Sequence, residues 1–244
     1  MVNTPSCYVA SLYFIFTQMK YNAMQAFAHS WNSYEKYAMG YDELQPQSRQ
    51  GKNMFGGLGA TIIDSIDTAF IMGNTDAYNK IRDWVADNFN PAKNYDASVF
   101  ETTIRCLGGL ISAYDLTQDK IFLAKARELA DRLLPAFNTR NDEETGSIKT
   151  SLSLSLYIYM CMCVFATSLK ISFVFLFAAV VVVVGSEVPA TGLSYASVNL
   201  QSGLSRNPSW TGRSSILAEF GTVQLELFSL SHRTGEKKYF EAVK

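Results

Sequence analysis

The sequence is short of histidine, of metal-type cysteine spacing and of basic runs, and each shortage removes a class of function. His29 and His232 are the only two histidines among 244 residues, so a zinc centre or a Ser-His-Asp triad has little material to draw on. The four cysteines, Cys7, Cys106, Cys161 and Cys163, include only a C-x-C pair, which is not a metal-ligand spacing. A net charge of −1 with no Lys/Arg run argues against a nucleic-acid partner. The apolar run at residues 9–16 is too short to span a bilayer and has no basic residue before it. Residues 1–19 therefore read as an uncertain N-terminal segment and a poor signal peptide.

What the sequence does have is helical periodicity. From Lys20 onward Met24, Phe27, Trp31, Tyr34 and Ala38 repeat at three- and four-residue steps up to Gly40. A polar loop rich in Gln and Gly is expected at 45–59. Two kinds of helix then alternate. Residues 60–72, 99–114 and 214–231 are apolar and rich in small side chains. Residues 77–88, 120–134 and 237 onward are amphipathic and are expected to bury Ile81, Trp84 and Val85, then Phe122, Leu123, Ala126, Leu129 and Leu133, then Tyr239, Phe240 and Val243. The turns between partners, at 74–76, 116–119 and 233–236, each place a Thr or Asp where an N-cap is wanted. Thr75 and Thr117 lie about 40 residues apart, the period of a helical-hairpin repeat. Such hairpins stack as an open solenoid or close as an α/α barrel with the apolar helices inside.

An inner helix is buried on nearly all sides, so a carboxylate on it needs a reason. Asp64 and Asp67 interrupt the first apolar helix, three residues apart and near one face. Each also fits a helix-start carboxylate serving backbone N–H groups. Glu101 and Arg105 stand at i and i+4 in the second, which fits either a surface ion pair of about 0.3–0.5 kcal/mol or a functional pair in a cleft. Gly108-Gly109 beside them permits close helix approach. Glu219 interrupts the start of the third apolar helix, and Glu226 follows two turns later. Carboxylates converging from several inner helices, with no histidine or metal cluster, suit cleavage of a glycosidic bond.

These residues sit in longer strings: Ile-Ile-Asp64-Ser-Ile-Asp67-Thr, Ser-Val-Phe-Glu101-Thr-Thr-Ile-Arg105-Cys-Leu-Gly-Gly-Leu, Leu-Leu-Pro135-Ala-Phe-Asn, Ser197-Val-Asn-Leu-Gln-Ser-Gly and Ser214-Ser-Ile-Leu-Ala-Glu219-Phe-Gly-Thr. In this order, and with Phe27, Trp31, Tyr34 and Asp42-Glu43-Leu44 before them, they resemble the class I α-1,2-mannosidases of glycoside hydrolase family 47 over residues 20–138 and 190–244. The resemblance implies an all-α fold, part of an (α/α)7 barrel, and an inverting mechanism with bound Ca²⁺. It implies Glu101 as the acid that protonates the glycosidic oxygen through a water. Arg105 would pair with Glu101 and contact sugar hydroxyls, and Asp64 and Glu219 would line the sugar-binding end. The substrate implied is the high-mannose N-glycan of glycoproteins in the endoplasmic reticulum or Golgi lumen, and the wording around Glu219 resembles the Golgi-type enzymes.

Two departures from the family pattern stand out. The resemblance places the catalytic base and the calcium-binding threonine beyond Lys244, so no metal ligand is named here and this chain is expected not to turn over by itself. The other departure is a stretch at 140–189 of Ser/Leu/Cys/Met and then Phe/Val monotony, between the first barrel part at 20–139 and its continuation at 190–244. It reads as translated non-coding sequence. The alternative is a transmembrane helix at about 152–169, giving membrane association, although a span there would separate flanks that belong side by side. A non-catalytic glycan-binding protein of the same fold and a membrane-anchored α-hairpin scaffold are the competing functional readings.

Overall fold

The structure, a computed structural model, describes residues 4–139 and 193–244. The stretch at 140–189, with the transmembrane alternative it carries, lies outside the described residues except for its flanks. Among the described residues no helix is long and apolar enough to cross a membrane.

The first helix, α1 (Thr4–Ala38), is longer than the periodicity predicts. No Gly or Pro interrupts the chain between Pro5 in its first turn and Gly40, so nothing stops the helix from running back through the segment expected to stand apart. Only its C-terminal part is packed. Trp31, Tyr34 and Ala38 are buried, whereas Leu12 to Phe16 and Met19 are exposed. The helix ends before Gly40, whose φ of 91° is a left-handed conformation suited to glycine.

Three helical hairpins follow, and in each the apolar helix lies inside. The first inner helix is α2 (Ala60–Asp64) and α3 (Ile66–Ile71), with α4 (Thr75–Asn88) outside it. The predicted single helix at 60–72 is interrupted at Ser65, whose hydroxyl donates to the Thr61 carbonyl at 2.6 Å. The second inner helix is α5 (Val99–Glu101), a π-turn at Thr102–Leu107 and α6 (Gly108–Thr117), with α7 (Lys120–Leu133) outside. The third is α8 (Leu217–Phe220) and α9 (Gln224–Thr234), with α10 (Lys237–Ala242) outside. Here the helix expected from Ser214 begins later, because Ser214 and Ser215 are held in the preceding loop.

Successive hairpins pack inner helix to inner helix, α3 on α6 and α6 on α9, and outer to outer, α4 on α7. This is the arrangement of an arc of an α/α barrel. The outer helices bury one stripe each: Ala77, Ile81 and Val85; Phe122, Ala126, Leu129 and Leu133; Tyr239. Trp84, Leu123, Phe240 and Val243, expected in those stripes, are half-buried. The inner helices approach closely at Gly109, where an added Cβ would stand 2.9 Å from the Ile63 carbonyl oxygen.

The turns between partners repeat one device; Asp119 caps as predicted, whereas the first turn is capped by Asn74 rather than Thr or Asp and the third has no side-chain cap. Asn74 and Asp119 cap α4 and α7, accepting from the Ala77 and Ile121 amides at 3.2 and 3.0 Å. Thr117 and Thr234 instead end the inner helices. Each donates to the carbonyl four residues back and accepts from the amide two residues on.

Two small sheets, illegible in the sequence, crown one end. The expected loop after α1 contains an antiparallel hairpin, β1 (Glu43–Gln45) with β2 (Gln50–Lys52). The second sheet has the order β3-β4-β5, from Asp96–Ser98, Ser197–Asn199 and Ser205–Arg206. Both sheets lie at the end where the inner helices begin.

Candidate active site

Asp64, Glu101 and Glu219 all lie near the starts of the inner helices, and the fold brings them to one mouth. The Arg105 Nε donates to Glu101 Oε2 at 2.6 Å, and its NH1 group lies 3.9 Å from Asp64 Oδ2. Arg105 thus bridges the first and second inner helices. Glu219, on the third, feels the charge of Glu101: its carboxyl is pushed above the ordinary range, first by burial and then by that neighbouring negative charge. Burial also raises the Asp64 carboxyl, with Arg105 opposing and Asp67 adding to the shift. The i, i+4 ion pair anticipated for Glu101 is formed, and it is formed at a mouth open to solvent, since the Glu101 side chain keeps 36% of its exposure.

The helix bearing Glu101 is fixed from both directions. Upstream, the Ser98 hydroxyl caps it by accepting from the Glu101 amide at 3.2 Å, and the Val99 amide donates to the Ala196 carbonyl at 2.9 Å. Downstream, the π-turn starts at the very next residue. Such single-turn irregularities re-aim side chains and are frequent at functional sites. No residue pattern announces it. Cys106 on the same turn is fully buried, and burial pushes its thiol up to about 12, so it is not a nucleophile at this mouth.

The other two carboxylates singled out from the sequence separate into different tasks. Asp67 accepts from the Thr68 amide at 2.7 Å and from the Ser112 hydroxyl at 2.9 Å, which ties the first inner helix to the second, so its role is structural. Glu226 packs against the second inner helix, where a Cβ on Gly108 would come 3.7 Å from its Cγ. Burial holds the Glu226 carboxyl above its ordinary range. A carboxyl raised on folding carries no penalty when protonated and accumulates one as pH rises from the ordinary carboxylate range through the folded value. Glu226→Gln is therefore expected to be more stable than the parent near neutral pH and to lose that advantage at about pH 4. Thermal unfolding at the two pH values checks this, and a gap independent of pH would contradict it.

Asp42 was a residue the composition gave no reason to single out. It is 1% exposed, and its carboxylate accepts four backbone amides: Gly59 and Ala60 on Oδ1 at 2.7 and 3.2 Å, Phe55 and Gly57 on Oδ2 at 2.7 and 2.8 Å. The turn it gathers contains Gly56, Gly57 and Gly59, all with positive φ, and leads directly into the helix bearing Asp64. The available signal was an acidic residue ahead of a glycine-rich loop.

The wall nearest Glu219 is a narrow crevice lined by Val99, Phe100, Tyr195, Ser215, Ile216 and Glu219 among others. Asn207 builds it. Its Oδ1 accepts from the Ala196 amide at 2.8 Å, and its Nδ2 donates to the Arg213 carbonyl and the Ser215 hydroxyl at 3.1 and 3.2 Å. Among the described residues no group of three or more His, Cys, Asp or Glu side chains is placed to hold a metal ion.

The hairpins thus form an α/α barrel arc whose inner helices deliver carboxylates and one arginine to a common mouth. Residues 26–155 and 187–244 match glycosyl hydrolase family 47, and the chain belongs to that family. It is 43% identical over 227 residues to the mannosyl-oligosaccharide 1,2-α-mannosidase MNS1 of Arabidopsis thaliana, covering 93% of this chain and 32% of that protein. It is 36% identical to the endoplasmic reticulum mannosyl-oligosaccharide 1,2-α-mannosidase of Rattus norvegicus, with 90% of this chain and 26% of that one covered. Human mannosyl-oligosaccharide 1,2-α-mannosidase IB matches at 36% identity over 88% of this chain and 26% of its own. The solved α-1,2-mannosidase of Trichoderma reesei superposes with a TM-score of 0.63 at 25% identity, covering 93% of this chain and 39% of that one. The described hairpins are accordingly part of an (α/α)7 barrel. The chain spans about a third or less of the length of these curated relatives, 32% for the plant enzyme and 26% for the rat and human ones.

Proposed function

We propose that this chain supplies the acid-bearing part of an inverting α-1,2-mannosidase active site that trims mannose from high-mannose N-glycans in the secretory pathway. The observation that carries the reading is the Asp64–Arg105–Glu101 bridge facing Glu219 at one mouth of the barrel arc. Glu101 is the proton donor. As the bond between mannose C1 and the glycosidic oxygen breaks, a proton from Glu101 passes through a water to that oxygen, while a second water adds to C1 from the opposite face and gives up its proton to a general base. Arg105 holds the Glu101 carboxyl in place and, with Asp64 and Glu219, offers hydrogen bonds to sugar hydroxyls. The general base is assigned to none of the described residues. Calcium, implied by the family, finds no fitting ligand set among the described residues: Glu101 is taken by Arg105, with Asp64 alongside it, and no group of three or more possible ligands stands there. This chain by itself is expected to release no mannose from a Man9 glycan; measurable release that Glu101→Gln abolishes would overturn that expectation and identify Glu101 as the acid, and measurable release that Glu101→Gln leaves unchanged would sink the reading.

We further propose that residues 140–189 interrupt the barrel rather than contribute to it, dividing a first part at 20–139 from a continuation at 190–244. The family match breaks off inside this stretch, between 155 and 187. The flanks also meet, with the Tyr195 amide donating to the Ala136 carbonyl at 2.9 Å. Deletion of 140–189 is expected to leave the unfolding temperature unchanged or higher. A loss of cooperative unfolding in the deletion protein would contradict this.

A further inference from the structure

The loop that walls the crevice turns one large aromatic outward. Trp210 is 75% exposed, on the short turn Ser209–Thr211. The residues around it alternate: Asn207, Thr211, Ser214 and Ser215 are buried, and Trp210, Gly212 and Arg213 face solvent. The buried set is fully engaged. Thr211 donates to the Pro208 and Ser214 carbonyls, both at 2.9 Å, and Ser215 donates to the Ser194 carbonyl at 3.2 Å. Arg213 holds a left-handed φ of 62°, a strained conformation for a side chain that is not glycine. A loop stitched this firmly holds the Trp210 backbone in place, with little backbone ordering left to be lost on binding.

That place is tied to the acid. Asn207 joins the loop to Ala196, and the Ala196 carbonyl receives the Val99 amide two residues before Glu101. Ser215, at the far end of the same loop, lines the crevice with Glu219. Trp210 therefore stands, exposed, on the same loop that supplies Ser215 to the crevice. The crevice is too narrow to enclose a sugar ring, so the outer residues of a branched mannose oligosaccharide bound at this mouth must lie over the rim. The C–H face of a pyranose is apolar and flat, and an exposed indole is its natural complement; its N–H remains available to a hydroxyl.

We propose that Trp210 is a rim platform on which a mannose residue outside the crevice stacks, so that it selects branched glycans over the isolated α-1,2-linked disaccharide. This rests on the proposed glycan-processing reading. The test is calorimetry of the full chain with a Man9 glycan and with α-1,2-mannobiose. Trp210→Ala is expected to weaken Man9 binding by about three- to tenfold and to leave mannobiose binding unchanged, with Trp210→Phe between the two. Acrylamide quenching of the parent protein should fall on adding Man9, because the two other tryptophans are already sheltered. Unchanged Man9 affinity in Trp210→Ala, or equal weakening for both ligands, would overturn the platform while leaving the proposed function standing. Concentration-dependent shielding of Trp210 without glycan would overturn it in favour of self-association. If the parent protein binds neither ligand, the functional reading falls and the platform with it.

Discussion

Asp42→Ala is expected to destabilise the protein by about 4 kcal/mol, the largest single loss among side chains away from the apolar core. The replaced carboxylate accepts four backbone amides, and alanine returns none of them to a partner. Water can reach part of the turn but not Gly59 and Ala60, whose bonds to Asp42 are buried. Asn is no remedy. Its amide oxygen could serve one pair of donors, and its NH₂ would then confront the other pair, donor against donor. The damage reaches the mouth, because this turn opens the helix that carries Asp64. Denaturant unfolding of Asp42→Ala and Asp42→Asn checks the claim. A loss below about 1 kcal/mol in either would mean that other contacts hold the turn.

Glu101→Gln is expected to behave in the opposite way, nearly silent in the stability of this chain and severe in the activity of a family 47 mannosidase whose corresponding part this chain replaces. The ion pair with Arg105 is half-exposed and contributes about 0.3–0.5 kcal/mol, so unfolding should barely move. Removal of a general acid lowers the rate by about 10²–10⁴-fold. The contrast separates the two readings that the i, i+4 spacing allowed from the start. A residue that only pairs with Arg105 would change stability and activity together and by little.

How much of this was legible in the sequence depended on which force decides each element. The outer helices α4 and α7 were readable because one apolar stripe decides them, and Ile81, Val85, Phe122 and Leu129 are all fully buried. The inner helices were readable as apolar segments but not in their breaks. Ser65 and the π-turn after Glu101 are set by packing between helices, which leaves no period of its own. The strands were invisible for a related reason. They are two or three residues long, and β3 pairs with β4 across about a hundred intervening residues. At the mouth, spacing alone left Glu101 open between an ion pair and an acid; the surrounding family strings pointed to the acid. Asp42 stands just ahead of those strings, yet its work is done through backbone amides, which no side-chain pattern records. The stretch at 140–189 had the highest apolar content and carried the least information about the barrel.

The measurement that tests the central claim most directly sets this chain in place of the corresponding part of a complete family 47 mannosidase and follows hydrolysis, with and without Glu101→Gln, of a substrate whose leaving group needs no proton. With a Man9 glycan the variant should lose about 10²–10⁴-fold in rate, and with α-mannosyl fluoride it should run close to the parent protein. That pattern identifies Glu101 as the acid. An equal loss on both substrates would assign it to positioning or binding instead and would contradict the account.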